Sequence, residues 1–105
     1  MGVFQAAEES EGVLVIGSNA NQNDLKPDLI PASAVLDVPK TFMGIATQVK
    51  EGTFKGGIFK NDLRSGNVYL AINPKFEERI PADVRARIDE AEKAIKEGRL
   101  KLVAE

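Results

Sequence analysis

The fold is decided by a short apolar run, Val13-Leu14-Val15-Ile16, which Gly17 closes and a polar loop follows. Its length and its β-branched residues favour a strand over a buried helix segment. A continuous apolar run, rather than an alternating one, is typical of a strand covered on both faces in a parallel sheet. We therefore predict a strand over residues 13–16 and a loop of turn-forming Asn and Asp residues over 18–28.

Strand and helix patterns alternate on both sides of this run. They predict a short first helix that ends around residues 10–12, a second strand over 29–36, a helix over 38–51, a β-hairpin of 58–59 with 68–72, and a last helix from Pro81 to Gly98. Alternating β and α elements indicate the α/β class, in which helices cover the faces of a sheet. Three or four strands are few for a doubly wound sheet, so we expect a partial three-layer sandwich.

The helix predicted over 38–51 has the clearest local signals. Asp37 can accept hydrogen bonds from first-turn amides as the N-cap, Pro39 suits the first turn, and Gly52 ends the helix. Helical spacing predicts a buried apolar stripe on this helix, formed by Phe42, Ile45, Ala46 and Val49. The same spacing predicts a buried stripe on the last helix, formed by Val84, Ile88, Ala91 and Ile95.

Composition limits the classes of function. The 105 residues suit one domain, and the net charge of −2, from 14 basic and 16 acidic residues, provides no electrostatic footprint for nucleic acid or for an anionic membrane surface. The absence of Cys and His removes thiolate zinc sites, thiol nucleophiles and the commonest general base. We therefore expect a protein that is not an enzyme, with no metal, no cofactor and no nucleic-acid partner.

The start of the sequence has neither the basic nor the apolar region of a secretory signal, and no apolar run approaches the roughly 18 residues of a spanning helix. The chain as written is expected to stay in the cytoplasm.

Polar residues concentrate where ligands of open α/β sheets bind, outside the carboxyl ends of the strands. Asn19, Asn21 and Gln22 follow the first predicted strand, and Asp37 follows the second. Amide side chains both donate and accept, which suits a neutral, hydroxyl-rich or heterocyclic ligand. The competing interpretation is structural: the amides build turns, and Asp37 caps the helix.

A resemblance to a known family extends over nearly the whole chain in collinear order, and it rests on residues 2–7, 15–22, 32–35, 49–57, 80–81 and 94–98. In these stretches the chain resembles the C-terminal part of the basic membrane protein (Bmp) family of substrate-binding lipoproteins. It implies most of one lobe of a type I periplasmic-binding-protein fold, with residues 1–105 as a single, incomplete domain. Members of that family are periplasmic or membrane-anchored outside the cytoplasm.

The resemblance also implies a function: a solute-binding component of an ABC importer that binds a small ligand such as a purine nucleoside and delivers it to the transporter permease. The family's aspartate positions fall on Asn19 and Asn21, and a lysine that contacts the sugar falls on Leu36. The two asparagines keep the hydrogen-bonding capacity of the aspartates but remove their negative charge, whereas Leu36 cannot make the lysine's contact with a sugar. The implied ligand-binding residues are Asn19, Asn21 and Gln22 at the cleft edge, with Asp37 as cap or secondary contact.

Two alternatives stay open at this point. One is a truncated module that binds no ligand and forms a homo-oligomer through its exposed sheet edge, since the missing upstream strands would leave residues 13–16 unpaired. The other is a small α/β enzyme that uses Asp24 and Asp37.

Overall fold

A computed structural model describes residues 2–102. Four helices and three short strands form an α/β fold in the order α1 (Gly2–Glu8), β1 (Gly17–Asn19), β2 (Ala32–Leu36), α2 (Val38–Lys50), β3 (Val68–Ile72), α3 (Pro74–Glu77) and α4 (Ala82–Lys96). The predicted fold class is confirmed. None of these helices, within the described residues, is both long and apolar enough to cross a lipid bilayer.

The sheet has the order β1-β2-β3, with β2 in the centre. β1 runs parallel to β2, with Gly17 opposite Ser33 and Asn19 opposite Val35. β3 runs antiparallel to β2, with Val35 opposite Tyr69. Asn19, Val35 and Tyr69 therefore form one row across the three strands.

The predicted strand over residues 13–16 is wrong in position. These residues lie just before β1, and Val15 makes one backbone hydrogen bond to the Leu29 carbonyl (2.9 Å). Leu14 and Ile16 are exposed, so the run is not covered on both faces. The strand begins instead at Gly17, because pairing with β2 begins there, with Gly17 opposite Ser33.

The predicted hairpin of 58–59 with 68–72 is also wrong. Residues 53–61 form no strand, and β3 pairs with β2 instead. Local turn residues suggested a hairpin, but β2 satisfies the backbone of 68–72 from more than 30 residues away in sequence. Asn73-Pro74, expected only to end the strand, also begins α3: Asn73 is its N-cap.

The helices α2 and α4 have nearly the predicted bounds, but their apolar stripes are largely exposed. Asp37 caps α2, and Gly52 and Gly98 follow the two helix ends with positive φ angles of 70° and 73°. Phe42 is nevertheless 68% exposed, and Val49 and Val84 are exposed as well. The buried apolar core is correspondingly small, and it comprises Ala7, Ile30, Ala32, Val35, Phe76 and Ala94.

Candidate functional site at the carboxyl ends of β1 and β2

The four predicted site residues lie at one edge of the sheet. Asn19 is the last residue of β1, Asn21 and Gln22 follow it, and Asp37 directly follows β2. Because β1 and β2 are parallel neighbours, their carboxyl ends meet at this edge. The sequence therefore placed the residues together correctly; whether they bind a ligand stays a prediction.

Two of the amides hold the loop that follows β1. The Asn21 Oδ1 accepts a hydrogen bond from the Asn23 backbone N–H (3.1 Å), which is an Asx-type turn. The Gln22 Oε1 accepts one from the Ser18 N–H (2.9 Å). These bonds engage the same side-chain oxygens that a ligand would use, so the geometry favours the turn-forming interpretation at both positions.

Ser33 anchors this loop to the central strand. Its side chain is fully buried; its Oγ donates to the Asn23 Oδ1 (2.7 Å) and accepts from the Gln22 backbone N–H (3.1 Å). The Asn23 Nδ2 in turn donates to the Ala71 carbonyl of β3 (3.1 Å). A buried polar network of this kind is stable only when every member is satisfied, and here it connects the loop, β2 and β3.

Gly17 is the residue that allows this approach. A Cβ at position 17 would overlap the Ser33 hydroxyl and crowd the Gln22 Cβ at 3.1 Å. The loop can therefore reach Ser33 only because residue 17 has no side chain.

Asn19 is the most distinctive of the four residues. Its φ of +72° lies in the left-handed region, and it is the one non-glycine residue with positive φ within residues 2–102. Asn tolerates this conformation better than most residues. Its side chain is exposed, and it shares a sheet row with the buried Val35 and the exposed Tyr69.

Asp37 acts as a helix cap. Its Oδ1 accepts a hydrogen bond from the Lys40 backbone N–H (2.9 Å), and its backbone N–H donates to the Asn67 carbonyl (2.7 Å). Lys40 also reaches across, with its Nζ donating to the Gly66 carbonyl (3.0 Å). The Asp37–Asn67 and Lys40–Gly66 hydrogen bonds connect the start of α2 to the residues that lead into β3.

Asn73 is a buried polar residue that sequence reasoning treated only as a strand breaker. Its Nδ2 donates to the Ile30 carbonyl (2.8 Å) and the Pro27 carbonyl (3.0 Å), and its Oδ1 accepts from the Lys75 N–H (3.0 Å). An Asn before Pro at a helix start was the available signal, since such an Asn is a typical N-cap. Its long-range partners had no signal in the sequence.

The shifted pKa values lie outside this site. In the loop before β3, the hydrogen bonds from the Arg64 side chain and the Ser65 backbone N–H lower the pKa of Asp62. Hydrogen bonds to Glu97 and Glu90 raise the pKa of Arg99. Both are exposed ion pairs, which contribute little to stability.

Two cavities lie away from the candidate site. One, of about 480 Å³, lies beside α1 and is lined by residues that include Glu8, Lys26 and Arg79. The other is an apolar groove of about 320 Å³ between the sheet and α4, lined by residues that include Leu70 and Ile88. Neither is lined by any of the four predicted residues. Within residues 2–102, no group of three or more acidic side chains is placed to hold a metal ion.

Comparison with known proteins gives matches to transcriptional activators, whereas a substrate-binding lipoprotein was expected. No family model matches the chain. The chain is 31% identical over 77 residues to the transcriptional activator protein Med of Bacillus subtilis, a match that covers 69% of this chain and 24% of Med. The chain thus spans about a quarter of Med's length.

Two solved structures share the fold. A transcriptional activator of the comK gene from Bacillus halodurans superposes with a TM-score of 0.80 at 24% identity, over 96% of this chain and 34% of that protein. A solute-binding protein of an ABC transporter system from Aeropyrum pernix superposes with a TM-score of 0.78 at 22% identity, over 98% of this chain and 36% of that protein. At these identities the likeness shows the fold alone.

These relatives overturn the expected membership of the Bmp family and the expected role in an ABC importer. Med and the Bacillus halodurans protein are named as transcriptional activators, so the predictions of a nucleoside ligand and a transporter permease as partners are wrong. The alternative of a self-associating, non-binding module gains no support from them either. What the comparisons do show is an α/β fold that this chain shares with a transcriptional activator and a solute-binding protein.

Proposed function

We propose that this chain is part of a transcriptional activator, in which it forms an α/β lobe without enzymatic activity. The observation that carries the proposal is the 31% identity to Med over 77 residues. The shared fold with the Bacillus halodurans activator supports it over nearly the whole chain. Such a role would place the chain in the cytoplasm, together with the promoter.

Charge on the lobe favours activation through a protein contact. Readers of DNA present a basic stripe, often along one helix. In α4 the four basic residues are matched by acidic ones, with Arg85 paired to Asp89 (3.3 Å) and Lys96 to Glu92 (2.5 Å). Residues 38–60 carry four lysines but no stripe along one helix, since α2 itself holds only Lys40 and Lys50, near its two ends. We therefore assign the promoter contact to another part of the activator and the contact with a protein to this lobe.

An exchange of protein segments tests this function. The region of Med that matches this chain is replaced by the chain's own residues, and a reporter gene on a Med-activated promoter is measured in cells that lack Med. We expect reporter expression within about threefold of that given by Med, because altered abundance alone produces changes of this size. The control is the same chimera with Gly17→Val, which should fail to fold and fail to activate.

Two results would contradict the two parts of the proposal, the activator function and the protein contact of this lobe. A chimera that accumulates to the level of Med but leaves the reporter at its uninduced level would show that the lobe lacks the activator function. A mobility shift of the promoter DNA by the isolated chain at physiological salt would assign the DNA contact to this lobe.

A further inference from the structure

The lobe has a larger accessible surface than a compact monomer of the same mass. Its accessible surface is 8018 Å², whereas a compact monomer of 11.4 kDa exposes about 5,800 Å². Its radius of gyration is 17.0 Å, whereas about 13 Å is typical of this length. The excess of about 2,200 Å² lies within the roughly 1,000–2,500 Å² that one partner loses in a permanent interface.

Much of the exposed apolar surface lies on one stretch of chain, residues 38–60, which we call the α2 face. Phe42 and Met43 of the helix are 68% and 67% exposed, and Ile58 is 96% exposed. The segment after α2 stays attached to the end of the helix, since the backbone N–H of Phe54 donates to the Gln48 carbonyl (3.2 Å). The Phe54 and Phe59 rings then meet with their centroids 5.9 Å apart.

The α2 face is also the basic part of an acidic protein. It carries four lysines and a single carboxylate, Glu51, whereas the rest of the chain has ten basic and fifteen acidic residues, out of 14 and 16 in all. None of the ion pairs found among residues 2–102 involves these lysines. An occupant of this face must therefore cover apolar side chains and present negative charge.

A second copy of the chain that docks through the same face does not meet this requirement. A two-fold dimer places the same patch on both sides of the interface, so it would oppose two faces that each carry a net charge of +3. Like charges at an interface are costly.

A lipid surface is also a poor match. Helices that lie in a membrane interface carry many Lys or Arg residues along the polar side. The polar side of α2 carries mainly Thr41, Thr47 and Gln48, and its lysines, Lys40 and Lys50, lie near its two ends. This composition is typical of a helix that packs against protein.

We propose that the α2 face is the docking surface for a different polypeptide segment with an apolar and acidic surface, equivalent to the part of the longer activators that lies outside the region matched by this chain. This part is about two-thirds of the Bacillus halodurans protein, which is large enough to cover the excess surface. The inference concerns how the lobe is covered, and it does not require that the function be transcription.

Thiol labelling tests the proposal, because the chain contains no cysteine. Phe42→Cys and Ile58→Cys are made in the isolated chain and in a chimera in which the chain replaces the equivalent third of a cysteine-free Bacillus halodurans activator. We expect labelling at both positions to be at least about tenfold slower in the chimera, because docking removes the side chains from solvent. Glu78→Cys, at an exposed position outside the α2 face, should be labelled equally fast in both proteins.

The charge requirement has its own pair of variants. Lys55→Glu with Lys60→Glu should restore fast labelling in the chimera, whereas Lys93→Glu with Lys101→Glu, the same change in charge elsewhere, should leave it slow. If the first chimera does not accumulate, the Aeropyrum pernix protein provides a second scaffold with the same fold.

Three results would overturn the proposal. One is equally fast labelling of position 42 in the chimera and in the isolated chain. Another is protection in the isolated chain that rises with its own concentration, which would show that a second copy covers the face. The third is labelling of the isolated chain that becomes slow when vesicles of phosphatidylglycerol with phosphatidylcholine are added, while labelling of the chimera stays fast. This result would identify a lipid surface as the occupant.

Discussion

At the scale of single residues, Gly17 decides whether the loop after β1 can reach the sheet. Gly17→Ala would force its Cβ against the Ser33 hydroxyl, and we expect it to lower the free energy of unfolding by about 1–3 kcal/mol, as overpacking of a buried site does. Thermal unfolding measures the loss. Gly44→Ala is the matched control: no atom lies near its added Cβ, and in a helix it should stabilise by about 0.5–1 kcal/mol.

A double variant identifies the contact responsible. Ser33→Ala removes the oxygen that the added Cβ would overlap. The double variant should therefore lose less unfolding free energy than the sum of the losses in the two single variants. Equal melting temperatures for wild type and Gly17→Ala would show that the loop does not rest on Ser33.

At the scale of elements, α2 depends on its cap more than on burial. None of its side chains is buried, whereas the Asp37 Oδ1 accepts the Lys40 N–H at 2.9 Å. We expect Asp37→Ala to cost about 1 kcal/mol in the free energy of unfolding, because the first-turn amide loses its acceptor. Urea unfolding followed by circular dichroism measures this loss.

Asp37→Asn separates the cap from other roles of the carboxylate. Asn caps helices about as well as Asp, so this variant should unfold at nearly the wild-type midpoint. If both variants lost the same stability, the charge of Asp37 rather than its capping bond would be responsible.

At the scale of the whole molecule, the extended shape is itself a measurable property. Small-angle scattering of the isolated chain should give a radius of gyration close to 17.0 Å. A dilution series is the control, because self-association would raise the value with concentration. A concentration-independent value near 13 Å, typical of a compact chain of this length, would mean that the helices fold back onto the sheet and that the α2 face is not free.

Signals between near neighbours in the chain were sufficient to predict several elements from the sequence. Asp37, Pro39 and Gly52 predicted α2 to within one residue at its end, and Gly98 correctly ended α4. These signals work because a cap, a proline or a glycine acts on backbone groups within one turn. Alternation of such elements was enough to predict the α/β class, and the positions of Asn19 and Asp37 at one sheet edge followed from it.

Only the tertiary structure decided which surfaces are paired and which are buried. The partner of residues 68–72 is β2 rather than 58–59, and Ser33 rather than an apolar residue anchors the loop after β1. Apolar periodicity predicted that Phe42 would be buried, but periodicity shows only that one side of a helix is apolar, not that this chain covers it. Burial depends on segments that meet in space, and the described residues provide too few of them to cover the face of α2.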